Sequence, residues 1–270
     1  MIRFQKVQKY VCTPNGRKEI LHDLTFDVPR AKITTIFGPN GSGKSSLMNI
    51  IAGLDQIDGG KIIGLEALLG KIGYVFQDYR RTLLPWLTVE QNILFPLHLR
   101  GLPKVTAKNK LQKLLTLTGI QIDLQQSIPT LSGGQAQLVC LLRALIIDPE
   151  LLILDEPFSA LDYGVTLILR EQIQAIAAKL NLTVLWISHD LEEALYLGDQ
   201  LVLLHALPAQ VVQIFPISFA RPRSLEILTS APFVALKAEV LQTLQSCGGL
   251  WKGLFAGDRH LVSPCSSAAS

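Results

Sequence analysis

The 270-residue chain is 49% hydrophobic and 17% charged, with 25 Lys+Arg against 22 Asp+Glu and a formal charge of +3. That length supports one large domain or a domain with a subdomain, and the apolar content excludes intrinsic disorder. The small net charge leaves no electrostatic footprint for nucleic acid, and a charged fraction below the roughly 25% of an ordinary soluble domain implies a surface partly covered by a partner.

Apolar patterning predicts strands over Ile2–Val7, Ile20–Val28 and Ile33–Phe37, the third running into a glycine-rich turn. A helix carrying Leu47, Ile50 and Ile51 follows, then a short strand over Ile72–Phe76. From Thr88 to about Ala144 the period becomes helical, with a last helix opening after Leu131. Lys104, Lys108, Lys110 and Lys113 read as a solvated helix face. Strands resume at Leu151–Leu154, a continuous run of the kind buried on both faces of a parallel sheet. A helix from Asp162, a strand over Leu182–Ile187 and a helix over Leu191–Leu197 complete an alternating pattern that predicts a parallel sheet with helices on both faces. Beyond Leu207 the pattern weakens to an appendage, with Arg221 to Arg223 in a loop, a helix near Ala235–Leu244 and a disordered tail from Ser263.

The uncharged stretch Gln200–Ala220 is long enough to cross a bilayer, yet Pro208 and Pro216 break it into the strand-length pieces Leu201–Leu204 and Val211–Phe215. Met1 to Lys6 alternates polar and apolar residues without a signal core. The expectation is a protein neither secreted nor integral to a membrane. Cys12, Cys140, Cys247 and Cys265 are scattered with no metal-site spacing, which suits a reducing compartment.

Three runs carry chemistry. Gly38-Pro39-Asn40-Gly41-Ser42-Gly43-Lys44-Ser45, continuing into Ser46, matches the phosphate-loop pattern G-x-x-x-x-G-K-[ST] between a strand and a helix. Glycines let successive backbone N–H groups curl around phosphates, Lys44 would neutralise the β- and γ-phosphates, and Ser45 would ligate Mg2+. Leu151 to Glu156 ends a buried strand in two acids: Asp155 for the metal and Glu156 for a water are the pair that metal-assisted ATP hydrolysis requires. Leu131-Ser132-Gly133-Gly134-Gln135 forms a second anion-binding corner at a helix start, in a chain that already has one phosphate loop.

With these motifs in this order, residues 1 to about 205 resemble the nucleotide-binding subunits of ABC transporters. The resemblance implies an α/β P-loop NTPase fold of the ABC ATPase type: a RecA-like parallel-sheet core, an N-terminal antiparallel β subdomain and an inserted helical subdomain at about 88–144. The ATPase domain would span 1–206 and the appendage 207–270. It also implies that Ser132, Gly133, Gly134 and Gln135 of one copy close over ATP held by the phosphate loop of a second copy. Tyr10 matches the aromatic residue that stacks on adenine, Gln77 the switch glutamine that touches Mg2+ and the attacking water, and His189 the γ-phosphate switch histidine. Ser159 to Asp162 resembles the loop that communicates across the dimer.

The apolar run Leu83-Leu84-Pro85-Trp86-Leu87 reads as a docking groove for a partner's helix, with core packing as its alternative. That run, and Phe219 to Arg223, look like the importer branch for nitrate, sulfonate, taurine or bicarbonate. The resemblance therefore implies a peripheral ATPase on the cytoplasmic face of the inner membrane, partnered by membrane permeases and indirectly a solute-binding protein. The rival reading is a non-transport ABC ATPase acting on nucleic acid or ribosomes. Ala136, Leu138, Ala31-Lys32 and Gln200 depart from the family pattern without removing a catalytic group.

Overall fold

The computed structural model describes residues 1–14, 16–158, 161–205 and 208–246. In chain order the elements are β1 (Ile2–Thr13), β2 (Gly16–Val28), β3 (Ile33–Phe37), α1 (Lys44–Ile51), β4 (Gly59–Ile63), β5 (Ile72–Val75), α2 (Tyr79–Thr82), α3 (Val89–Leu99), α4 (Lys104–Thr118) and α5 (Gly133–Leu145). They continue with β6 (Leu151–Asp155), α6 (Tyr163–Lys179), β7 (Thr183–Ser188), α7 (Leu191–Leu197), β8 (Gln200–Leu204), β9 (Val211–Pro216) and α8 (Ala231–Ser246).

Two sheets form. The smaller is antiparallel, in the order β2-β1-β4, and the larger runs β5-β6-β7-β3-β8-β9. In the larger sheet every pairing is parallel except β8 with β9, which is antiparallel. The continuous apolar runs serve both faces at a period of two. Leu151 and Ile153 of β6 point into a core shared with β1, β2 and α1, where Phe4 stacks on Phe26 at 4.3 Å. Leu152 and Leu154 point into the opposite core, which gathers Trp186 with apolar side chains of α3, α5, α6, α7 and α8. The phosphate-loop strand β3 lies inside the sheet between β7 and β8, which holds its carboxyl end rigid.

Several elements differ from expectation. β4 begins Gly59-Gly60-Lys61, which has no strand signature, yet it pairs with β1 from Arg3 to Gln8. Gly60 has φ 80 and approaches the Lys6 carbonyl so closely that a Cβ would lie 2.1 Å from it. β1 continues past Val7 to Thr13 through register shifts around Lys6, which itself has φ 48. Leu83, expected in an open groove, is 4% exposed and belongs to the core, whereas Trp86 is 76% exposed. The strand-length piece Val211–Phe215 does form, as the edge strand β9, whereas α8 runs beyond the expected Ala235–Leu244. Arg223 ties this region down by donating to the carbonyls of Leu195, Tyr196 and Gly198 at the end of α7. Lys104, Lys108 and Lys113 are exposed as expected, with Lys108 paired to Glu90 at 3.1 Å. Cys247, Cys265 and the tail from Ser263 lie outside the described residues.

Candidate active site

β3 ends at Phe37 and α1 opens at Lys44, so residues 38–43 must turn sharply. Gly43 caps α1 in the left-handed region at φ 93, with Ile20 of β2 only 2.9 Å from where a Cβ would sit. A side chain there would be strained and would collide, which is the physical reason for glycine. Lys44 is 6% exposed, and its ammonium donates to the carbonyls of Gly38 at 2.9 Å and Pro39 at 2.8 Å. Burial pushes its pKa down, against the opposing pull of Glu156 and Asp155. Ser42 Oγ is buried with no partner inside the loop.

Asn40, Gly41, Gly43, Lys44, Ser45, Ser46, Gln77 and Glu156 line one cleft of about 400 Å³ together with Ile20. The cleft thus brings part of the phosphate loop together with Gln77 and Glu156, while Gly38, Pro39 and Ser42 of the loop do not line it. Glu156 follows β6 in the left-handed region at φ 45. Its Oε2 lies 3.0 Å from Gln77 Nε2, which donates to it, and 3.2 Å from His189 Nδ1. Three residues from three separate strand ends therefore meet at one carboxylate oxygen. Asp155, 5% exposed, sits behind them, and the Tyr74 hydroxyl donates to it at 3.4 Å. Burial, and then the negative charge of Glu156, push the Asp155 carboxyl up to about 6. The tyrosine was not foreseen; nothing in its spacing marks it as a partner of Asp155.

The family profile described as ABC transporter matches residues 21–159. The aliphatic sulfonates import ATP-binding protein of Bacillus subtilis is 37% identical, over 85% of this chain and 89% of that protein. The chain belongs to the ABC transporter family. Membership makes it a P-loop ATPase. The taurine import ATP-binding protein of Pseudomonas aeruginosa is 38% identical, over 76% of this chain and 79% of its own length. Among solved structures, a dimeric bacterial ABC transporter cassette superposes with a TM-score of 0.70 at 24% identity, covering 82% of this chain and all (100%) of that one. The ABC transporter component from Clostridium perfringens described as cbiO1 gives 0.72 at 23% identity, covering 88% of this chain and 94% of that one. The last two establish the fold.

The remaining ABC motifs lie away from the cleft lining. Ser132 caps α5 in a reciprocal box: its hydroxyl accepts from Gln135 N at 3.2 Å, and its own N–H donates to Gln135 Oε1 at 2.9 Å. Gly133 presses against Leu161, two residues before α6, and Gly134 against Val165 in its first turn, so a Cβ would meet them at 2.9 Å and 2.7 Å. Packing within the chain is thus a reason for both glycines that the anion-corner reading missed. Asp162 caps α6 without a side-chain bond, and Ser159 and Ala160 lie outside the described residues. Tyr10, on β1, pairs with Glu19, next to cleft-lining Ile20. The Arg17 guanidinium covers its ring at 4.3 Å, a cross-strand contact that residue spacing does not predict.

Proposed function

We propose that this chain binds ATP with Mg2+ at the Lys44 cleft and hydrolyses it to energise import of a small sulfonate-like solute through a separate membrane permease. The observation that carries the catalytic part is Glu156, held by Gln77 and His189 at the mouth of the phosphate loop. The import part is supported by the printed roles of the sulfonate and taurine relatives.

The donors suit magnesium. Ser45 hydroxyl, Gln77 carbonyl and Asp155 carboxylate are all oxygen ligands, and the Gln77 amide nitrogen, by donating to Glu156, leaves its oxygen for a cation. Among the described residues no cluster of His, Cys, Asp and Glu forms a cage for a metal, as suits an ion that binds through few side chains plus substrate phosphates. A magnesium ion held by these residues would supply charge neutralisation to the phosphates. Within the chain, Lys44 exchanges its loop carbonyls for phosphate oxygens, and backbone N–H groups of 40–45 cradle the anion. Glu156 takes a proton from the attacking water as the water oxygen bonds to the γ-phosphorus; the bond to the bridging oxygen breaks, its electron pair staying on ADP, and the proton passes to the released phosphate. His189 stabilises charge on the departing phosphate. Tyr10 stacks on adenine once Arg17 yields the ring face or sandwiches the base.

Because Ser132 to Gln135 do not line the cleft of their own chain, the working unit is a pair in which each copy completes the other's site, with Asp162 near the junction. The solved dimeric cassette supports that arrangement. The import roles of the relatives lead us to place the pair peripherally, on the cytoplasmic face of the inner membrane, with exposed Trp86 toward the permease. A solute-binding protein would act indirectly, through the permease. Residues 1–206 form the ATPase domain in this reading, with helices 88–144 inserted and 207–270 appended.

Disruption of the gene should abolish growth on taurine or an alkanesulfonate as sole sulfur source, restored by the wild-type chain and not by Glu156→Gln. Unimpaired growth on every sulfonate contradicts the solute class; absence of ATP turnover by the purified chain contradicts the catalytic reading.

A further inference from the structure

A buried polar cluster stands directly behind His189, and nothing in the hydrolysis above uses it. Ser188, at the end of β7, is 1% exposed; Arg170 on α6 is 6% and Glu193 on α7 is 5% exposed. The Ser188 hydroxyl donates to Glu193 Oε2 and accepts from the Asp190 backbone N–H at 3.0 Å. Arg170 Nε lies 3.3 Å from Glu193 Oε1, and a terminal nitrogen of the same guanidinium lies 3.6 Å from Asp190 Oδ2. Asp190 in turn caps α7, its Oδ1 accepting from Glu192 and Glu193 N–H groups at 2.9 and 3.3 Å.

The turn that carries His189 is therefore tied at both ends. Ser188 on one side and Asp190 on the other are bonded to each other and, through Glu193, to Arg170. Between them His189 sends its half-exposed ring to Glu156. A buried ion pair is weak evidence for stability, since apolar groups of the same volume do as well or better. Its value here lies in geometry. A hydrogen-bonded network with a forked guanidinium allows one arrangement of the turn, where an apolar cluster would tolerate several.

We propose that Ser188, Glu193 and Arg170 are positioning residues that act through His189, holding its ring within reach of Glu156 and the substrate phosphate without touching nucleotide. This rests on the reading of Glu156 and His189 as a hydrolytic pair.

The test is steady-state ATP turnover by the purified chain, with the His189 ring signals followed by NMR and assigned by their loss in His189→Ala. Ser188→Ala removes the tie with little change in volume. It should lower kcat roughly tenfold or more while KM for ATP moves less than about twofold, because the defect is orientation and not binding. Ser188→Thr keeps the hydroxyl and should restore turnover. In a His189→Ala background Ser188→Ala should add no further loss, as required of residues acting through one group. Arg170→Met with Glu193→Leu removes both charges together and should lower kcat in a folded protein, whereas either single change strands a buried charge. Wild-type kcat in Ser188→Ala, or the same fractional loss with and without His189, overturns the proposal. Should Glu156→Gln turn over normally, the hydrolytic reading falls by itself. A His189 signal unmoved by Ser188→Ala still overturns the positioning claim, and a signal that moves in Ala but not Thr sustains it.

Discussion

Glu156 holds a backbone conformation that side chains rarely adopt, φ 45, at a cost of about 1–2 kcal/mol, and does so where the Gln77 amide donates to its carboxylate and the His189 ring lies 3.2 Å away. Glu156→Gln should lower ATP turnover by about 10² to 10⁴-fold while leaving nucleotide affinity near wild type, checked by turnover and by equilibrium binding. Lys44→Ala, by contrast, should weaken ATP binding itself. Asp155 supports a prediction about pH. Its carboxyl titrates near 6 in the nucleotide-free chain, against an ordinary 3.8, so the folded state holds the proton more tightly than the unfolded one. Its contribution is full below about pH 4 and is lost as pH rises through 6. Asp155→Asn should therefore stabilise the nucleotide-free chain by roughly 3 kcal/mol at pH 7.5, and by progressively less toward pH 4, in denaturant unfolding. The same change should abolish magnesium-dependent nucleotide binding. Of these residues, Lys44, Ser45, Asp155 and Glu156 were legible from short-range pattern, because a phosphate loop and an acid-ended strand are local features. Gln77 and His189 needed the family resemblance. Tyr74, Ser188, Arg170 and Glu193 were invisible because their partners come from other strands and helices.

At the scale of elements, β3, β6 and β7 were readable because burial on both faces demands an unbroken apolar run. β4 was not readable, because its opening glycines answer a close approach to Lys6 and not a strand preference. β9 pairs antiparallel at the sheet edge, where pairing on one side only weakens the pattern. Gln200, a departure from the family pattern, donates to the Asp27 carbonyl at 2.7 Å and to Thr34 Oγ1 at 3.0 Å, so it bonds β8 to β3 and to the end of β2. Ala31, another departure, has φ 54, a conformation suited to glycine. Ala31→Gly should stabilise the chain by up to about 1 kcal/mol, seen as a rise in Tm of roughly 2–4 °C. An unchanged or lower Tm would mean that glycine's greater freedom in the unfolded chain outweighs the relieved strain. Ser132→Ala should cost about 1 kcal/mol by removing the α5 cap, and any loss of turnover beyond that destabilisation measures its role across the dimer.

For the whole molecule, the unusual apolar content is absorbed chiefly by the two cores on either face of the large sheet. Among the described residues, the large apolar side chains left outside are scattered over several elements, with Trp86, Leu99 and Val105 the most exposed at 76%, 74% and 72%. Leu83 is buried and lines no open groove, so Trp86 is the residue of that run most open to a partner. Trp86→Ala should leave turnover by the isolated chain unchanged while reducing co-purification with the permease. Retained co-purification would move the docking surface elsewhere. The central claim is that two copies close over ATP, each supplying Ser132 to Gln135 to the other's Lys44 cleft, until Glu156 drives hydrolysis. Sedimentation of Glu156→Gln with and without saturating Mg-ATP tests it most directly. The chain, 29.7 kDa as a monomer, should shift to a dimer that retains ATP and revert when nucleotide is removed. A monomer at saturating ATP, or a dimer indifferent to nucleotide, would contradict it.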